Sequence, residues 1–79
     1  MTIDTNNLNE ELIEKHYKET FEKISEDKRK KILDVAVKEF ASKGFTSANI
    51  NDISKNAGIS IGSMYTYFSS KEDLFLTVI

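Results

Sequence analysis

A chain of 79 residues with 39% hydrophobic residues, no proline and no cysteine predicts one small helical domain and excludes disulfide and thiol chemistry. A single histidine, no glycine-rich phosphate loop and no residues at metal-ligand spacing argue against an enzyme, a cofactor and a bound metal. No long apolar run or signal-peptide pattern occurs, which predicts a cytoplasmic protein without membrane contact.

The net charge of −2 hides an asymmetry along the chain. Residues 1–27 carry eight acids and three bases, whereas residues 28–79 carry eight bases and five acids. The second part is therefore the one suited to a polyanion. The basic run at residues 28–31 either contributes to the positive electrostatic field of this part or is an ordinary solvated helix face.

The first predicted element is an amphipathic helix within residues 1–24. Its apolar positions recur at helical spacing among charged residues: Leu8, Leu12, Ile13, Tyr17, Phe21 and Ile24. The acidic polar surface predicts packing on the domain body, on a further domain or on another chain, and not on nucleic acid. His16 lies beside the stripe and is interpreted as an ordinary surface or boundary residue.

A long core helix is predicted to begin at Ser25 and to end at Gly44. Two acids follow Ser25, where they favour the positive end of the helix dipole, and glycine is a natural terminator. The predicted buried stripe comprises Ile32, Leu33, Ala36, Val37, Phe40 and Ala41, and the core is completed by Phe45, Ile50, Ile53, Ile59, Met64 and Phe68. The carboxylates are interpreted as solvated.

Residues 49–71, NINDISKNAGISIGSMYTYFSSK, predict two short helices around a tight corner. Ile50, Ile53 and Ala57 form the apolar side of the first helix, and Gly58 follows where a left-handed turn suits glycine. Ser60 is the predicted N-cap of the second helix. This arrangement is typical of a helix-turn-helix that reads DNA.

The outer face of the second helix carries the hydroxyl groups of Ser63, Tyr65, Thr66 and Tyr67 beside Gly62. Hydroxyls can reach phosphate oxygens, and a glycine lets the backbone approach a groove closely. The competing interpretation is that the tyrosines are partly buried aromatics with wet polar tips, as in many helical domains.

A last helix is predicted after Ser69, which forms a capping box with Glu72. Its apolar positions are Leu74, Phe75, Val78 and Ile79. No stop signal follows, so we expect only the start of a longer helix and a chain that is a fragment.

The stretches RKKILDVAVKEFASKGF, INDISKNAGIS and IGSMYTYFSSKEDL occur in an order that resembles the DNA-binding domain of TetR-type transcriptional regulators. The resemblance covers about residues 28–79 and leaves residues 1–27 as an extension. It implies an all-α, three-helix helix-turn-helix bundle, plus the start of a fourth helix and the added N-terminal helix. It also implies sequence-specific binding of a palindromic DNA operator by a homodimeric repressor, with a small-molecule effector on a C-terminal domain absent here.

Site roles follow from the resemblance, position by position. The base-facing residues are predicted to be Ile61, Gly62, Ser63, Thr66 and Asn51, and the phosphate contacts Asn49, Ser63, Tyr65, Tyr67 and Lys71. The chain departs from the family pattern at Ala48 and Asn49, where hydroxyl residues usually stand. The alternative function is a helical protein-interaction module without DNA binding, using the apolar stripes near both ends of the chain.

Overall fold

The computed structural model describes residues 15–79, and this part of the chain contains five α-helices and no strand. The helices are α1 Glu19–Glu22, α2 Glu26–Ser47, α3 Ile50–Ala57, α4 Ile61–Tyr67 and α5 Lys71–Val78. Helix α2 packs against α3 and α5, and α4 packs against α3 and α1. The predicted all-α fold is confirmed. Within these residues no helix has both the length and the apolar character needed to cross a membrane.

Helix α2 begins and breaks where its sequence predicts. Ser25 has extended backbone, and its hydroxyl accepts a hydrogen bond from the Lys28 N–H at 3.2 Å. Gly44 has φ 74° and ψ 167°, which interrupts the helical backbone and leaves residues 45–47 as a further turn. A positive φ of this size is a conformation that glycine adopts without steric cost.

The buried core is narrower than the predicted stripe. Its apolar members are Phe21, Ile32, Ala36, Phe40, Ala48, Ile50, Ile53, Ala57, Met64, Tyr67, Phe68 and Leu74. Val37 and Phe45 are 46% and 39% exposed, and Ala41 is also exposed, so their predicted burial is wrong. The Gly44 break carries Phe45 out of the helical stripe, and its ring lies 6.2 Å from that of Phe40.

Between residues 15 and 24 the chain forms one helical turn where a continuous helix was predicted. Residues 15–18 are not helical, and Leu8, Leu12 and Ile13 lie outside the described residues. The Lys18 N–H donates to the Tyr67 carbonyl at 2.8 Å, which holds the chain extended ahead of α1. Phe21 is only 3% exposed, and the predicted packing on the domain body is confirmed for this residue.

Helix α5 begins one residue later than predicted. The N-cap is Ser70, whose hydroxyl accepts from the Asp73 N–H at 3.1 Å, so the Ser69 capping box is wrong. Two overlapping pairs here place a serine three residues before an acid, Ser69 with Glu72 and Ser70 with Asp73. Ser70 takes the extended backbone that a cap requires, with φ −157° and ψ 168°.

Candidate nucleic-acid interface

The corner between α3 and α4 is a three-residue turn with a cap on each side. Gly58 adopts φ 73° and ψ 30°, and its N–H donates to the Lys55 carbonyl at 3.2 Å. Ser60 accepts from the Ser63 N–H at 3.1 Å and donates its hydroxyl proton to Ser63 Oγ at 2.9 Å. The predicted left-handed glycine and serine cap are both confirmed, and they fix the angle at which α4 leaves the turn.

The start of α3 is held by a side-chain cap and by a buried carboxylate. Asn49 Oδ1 accepts from the Asn51 N–H at 2.7 Å and so caps the helix. The Asn49 N–H donates to Glu39 Oε2 at 3.0 Å, and Glu39 is only 7% exposed. The interpretation of the carboxylates as solvated is therefore wrong for Glu39, because this group closes the N-terminus of the next helix.

A chain of ion pairs continues from this carboxylate. Lys43 Nζ donates to Glu39 Oε2 at 3.1 Å and to Asp52 Oδ2 at 3.0 Å. The hydrogen bond to Asp52, followed by that to Glu39, raises the pKa of Lys43 above its ordinary value of 10.5. Helix α2 is thereby joined through Lys43 to the first turn of α3.

The two sides of α4 differ sharply in exposure. Met64 and Tyr67 are buried, whereas the opposite side exposes Ile61, Gly62, Tyr65 and Thr66, with Ser63 half-buried between them. This is the set of residues on α4 that the sequence places toward DNA, apart from Tyr67. Asn49 and Asn51 are also exposed, but they lie on α3 and its cap.

Hydrogen bonds within α4 decide which groups remain available to a ligand. The Thr66 hydroxyl donates to the Ser63 carbonyl at 2.5 Å, so its proton is engaged, and the methyl group and the acceptor side of the oxygen are left for contact. Ser63 Oγ accepts from Ser60, and its own proton is therefore available to a phosphate oxygen. These arrangements fit methyl contact by Thr66 and phosphate contact by Ser63.

Tyr67 combines a buried ring with an accessible hydroxyl. The residue is 8% exposed, and its ring centroid lies 5.9 Å from that of Phe21. Within residues 15–79 no buried side-chain nitrogen or oxygen lacks a hydrogen-bond partner, and the Tyr67 hydroxyl makes no such bond, so it reaches the surface. The interpretation of Tyr67 as a largely buried aromatic with a wet polar tip is therefore confirmed, and its contact with phosphate stays a prediction.

Lys71 stabilises the loop before α3. Its Nζ donates to the carbonyls of Thr46 and Ala48, each at 3.2 Å, and lies 4.6 Å from the centre of the Phe45 ring. An ammonium group has three donors, so one remains beyond these two bonds. The predicted phosphate contact is compatible with this geometry, but Lys71 also has a structural role that the sequence did not indicate.

The C-terminal end of α4 is bound by residues far away in the chain. Lys18 donates from Nζ to the Tyr65 carbonyl at 3.1 Å, and from its N–H to the Tyr67 carbonyl at 2.8 Å. The Thr20 hydroxyl donates to the Thr66 carbonyl. Sequence reasoning missed these contacts, because no local signal links side-chain partners that lie 46 or 47 positions apart.

A sequence model described as bacterial regulatory proteins of the tetR family matches residues 32–78, which is more than half of the chain. The chain belongs to the TetR family. The match spans most of α2 and all of α3, α4 and α5. Lys18 and Thr20, which bind the end of α4, lie outside this TetR-family match.

Relatives and a solved structure agree with this assignment. The chain is 43% identical over 53 residues to the uncharacterized HTH-type transcriptional regulator YuxN of Bacillus subtilis, covering 67% of this chain and 18% of that protein. It is 39% identical over 51 residues to the HTH-type transcriptional regulator AcrR of Shigella flexneri, covering 65% and 24%. A crystal structure of a TetR-family transcriptional regulator from Chloroflexus aurantiacus superposes with a TM-score of 0.73 at 43% identity, covering 77% of this chain and 28% of that one. The matched part of the chain thus spans 18% to 28% of the length of these proteins.

Proposed function

We propose that this chain is the DNA-reading domain of a transcriptional regulator and that α4 enters the major groove. The observation that supports the proposal most strongly is the exposed side of α4, held by a capped helix-turn-helix in a TetR-family chain. A helix with this exposed face can be inserted without unpacking the core, because Met64 and Tyr67 lie on its other side.

The reading mechanism follows from the groups available on α4. Ile61 and the Thr66 methyl contact thymine methyl groups, and Gly62 permits close approach of the helix backbone. No arginine, glutamine or asparagine stands on α4, so bidentate base contacts are not available from this helix. Asn51 on α3 is the candidate for a bidentate adenine contact. Discrimination on α4 then depends on methyl contacts and on the shape of the DNA.

Phosphate contacts fix the position of the domain on the duplex. The predicted donors are the hydroxyls of Ser63, Tyr65 and Tyr67, the third ammonium proton of Lys71 and the amide nitrogen of Asn49. In Asn49 the side-chain oxygen is already engaged by the cap, so Nδ2 is the atom that faces a phosphate.

The whole regulator is proposed to act as a cytoplasmic repressor that occupies a palindromic operator as a symmetric homodimer. Two recognition helices then reach successive major grooves about 34–36 Å apart. A small-molecule effector changes this separation and releases the DNA. These properties are proposed from the family resemblance and from the geometry of helix-turn-helix dimers.

Binding-site selection from a random duplex library, followed by affinity measurements with matched variants, tests the proposal. Tyr67→Phe removes only the accessible hydroxyl and should weaken binding roughly 2- to 10-fold on every duplex, whereas Tyr17→Phe, the same change outside α4, should not. Thr66→Ser keeps the hydroxyl and removes the methyl, so it should change the selected base at one position.

Two results would contradict the DNA-reading assignment. One is a library that shows no binding even at low salt, or no preferred sequence at higher salt, where sequence-independent electrostatic binding is weaker. The other is binding that survives all changes on α4 while amide NMR shifts on adding DNA lie outside α3 and α4. Absence of DNA binding would favour the protein-interaction module, whereas binding that survives the changes on α4 would place the DNA contact elsewhere on the domain.

A further inference from the structure

The last turn of α4 depends on partners from outside its own helix. Every α-helix ends with carbonyls that no later helical N–H can reach. In α4 three successive carbonyls, those of Tyr65, Thr66 and Tyr67, accept hydrogen bonds from Lys18 and Thr20. A helix of seven residues has little stability by itself, so these bonds contribute to keeping its end ordered.

The donors are held in place from two directions. Phe21 is buried, with its ring centroid 4.9 Å from that of Phe68 and 5.9 Å from that of Tyr67. On the other side, Arg29 Nη1 donates to the carbonyls of Glu22 at 3.0 Å and Ile24 at 2.6 Å. Residues 18–24, called here the brace segment, therefore connect the end of α4 to the start of α2.

We propose that the brace segment positions α4, the recognition helix of the proposed function, for DNA reading, in addition to packing on the domain. The residues whose carbonyls it binds are the same ones that carry predicted base and phosphate contacts, Tyr65, Thr66 and Tyr67. A small displacement of this turn would move all three side chains together relative to the groove. This inference rests on the proposed DNA-reading function. It adds residues before position 32 to the part of the chain that reads DNA, whereas the family match covers residues 32–78.

The chemistry of the brace segment suits a place beside DNA. Residues 1–27 are acidic overall, yet the groups that touch the recognition helix are an ammonium, a hydroxyl and a backbone N–H. None of these repels phosphate. The contact itself therefore does not oppose the approach of a duplex, and the two acids of the segment, Glu19 and Glu22, form none of these hydrogen bonds.

Amide hydrogen exchange tests the contact itself. Lys18→Met keeps the aliphatic stem and removes the ammonium, and Thr20→Val removes the hydroxyl with little change in volume. The double variant should exchange the amides of Thr66 to Phe68 roughly 2- to 10-fold faster, while amides in the middle of α2 stay unchanged. Lys23→Met is the matched control, because it removes one exposed positive charge from the same segment without a contact to α4.

Affinity on two duplexes tests the positioning role. Wild type first selects a preferred duplex, and each variant is then measured on that duplex and on a shuffled one. The brace predicts that the double variant loses about 10-fold on the preferred duplex and much less on the shuffled one, whereas Lys23→Met changes both by the same factor.

The possible outcomes separate this inference from the function beneath it. Faster exchange with unchanged discrimination would overturn the positioning role and leave the brace segment as a packing element. Unchanged exchange in the double variant would overturn the contact. If wild type selects no preferred duplex, the proposed DNA-reading function fails, and the positioning role falls with it whatever the exchange rates show.

Discussion

The buried carboxylate of Glu39 should be among the most costly polar groups to remove. It accepts from the Asn49 N–H at 3.0 Å and from Lys43 at 3.1 Å, and it is 7% exposed. A hydrogen bond to a charged group contributes about 1.5–3 kcal/mol when it is shielded from water. In Glu39→Ala, Lys43 keeps its ion pair with Asp52, and the Asn49 N–H gains access to water. We therefore expect this variant to lower the free energy of unfolding by about 2 kcal/mol.

Asp34→Ala provides the matched control on the same helix. It removes the same charge, but Asp34 forms an exposed pair with Lys30 at 3.1 Å, four residues away. Such pairs contribute only about 0.3–0.5 kcal/mol. Glu39→Gln keeps the shape and one acceptor oxygen, so its loss should fall between those of the two alanine variants.

Urea denaturation followed by circular dichroism measures the difference. For a domain of this size the slope m is about 1 kcal/mol/M, so Glu39→Ala should move the midpoint down by roughly 2 M and Asp34→Ala by less than about 0.5 M. If Glu39→Ala is too unstable to melt in urea, an osmolyte such as TMAO can restore a measurable transition. Equal losses for the two alanine variants would refute the argument that Glu39 holds the start of α3.

Three further predictions concern the pKa of Lys43, the turn and the core. Because the folded-state pKa of Lys43 is raised above 10.5, the contribution of its charge to stability is fully present below that pH and is lost as pH rises through the raised value. The difference in unfolding free energy between wild type and Lys43→Met, measured in urea melts, should therefore be constant from neutral pH to about 10 and shrink above it. A difference that already shrinks at neutral pH would contradict this. Gly58→Ala should cost about 1 kcal/mol in thermal melts, because an added Cβ meets nothing within 4 Å and only the positive φ opposes it; an unchanged Tm would show that the turn relaxes. Phe68→Ala should cost about 3–5 kcal/mol in urea and Val37→Ala, at 46% exposure, less than about 1 kcal/mol; a Val37→Ala loss well above that value would show that the core on α2 is wider than the structure indicates.

The parts of the fold that were predictable from sequence are those set by neighbouring residues. The caps at Ser25 and Ser60 and the positive-φ breaks at Gly44 and Gly58 are local choices, made between a backbone conformation and one side chain. Each was therefore visible in a short window of sequence. The Ser69 error shows the limit, because two overlapping windows offered equal caps and only the packed backbone chose between them.

The parts of the fold that were not predictable from sequence depend on tertiary packing between helices. Helical periodicity indicates the centre of an apolar stripe but not its width, so Val37 was placed inside although it is 46% exposed. The burial of Glu39 depends on α3 arriving beside it ten positions later in the chain. The base and phosphate roles of the exposed residues on α4 stay predictions, since they depend on a ligand that is not part of the chain.

Both ends of the helix-turn-helix are held by hydrogen bonds to residues from elsewhere in the chain. At its start, Glu39 accepts from the Asn49 N–H, and Lys71 donates to the carbonyls of Thr46 and Ala48. At its end, the brace segment donates to the last carbonyls of α4. Backbone groups at the ends of these helices are thus satisfied by partners from distant positions, and α3 and α4, which have eight and seven residues, need not rely on their own helical stability. If the proposed DNA-reading function holds, α4 presents its exposed side in one orientation before DNA binds, so less ordering remains to be done on binding.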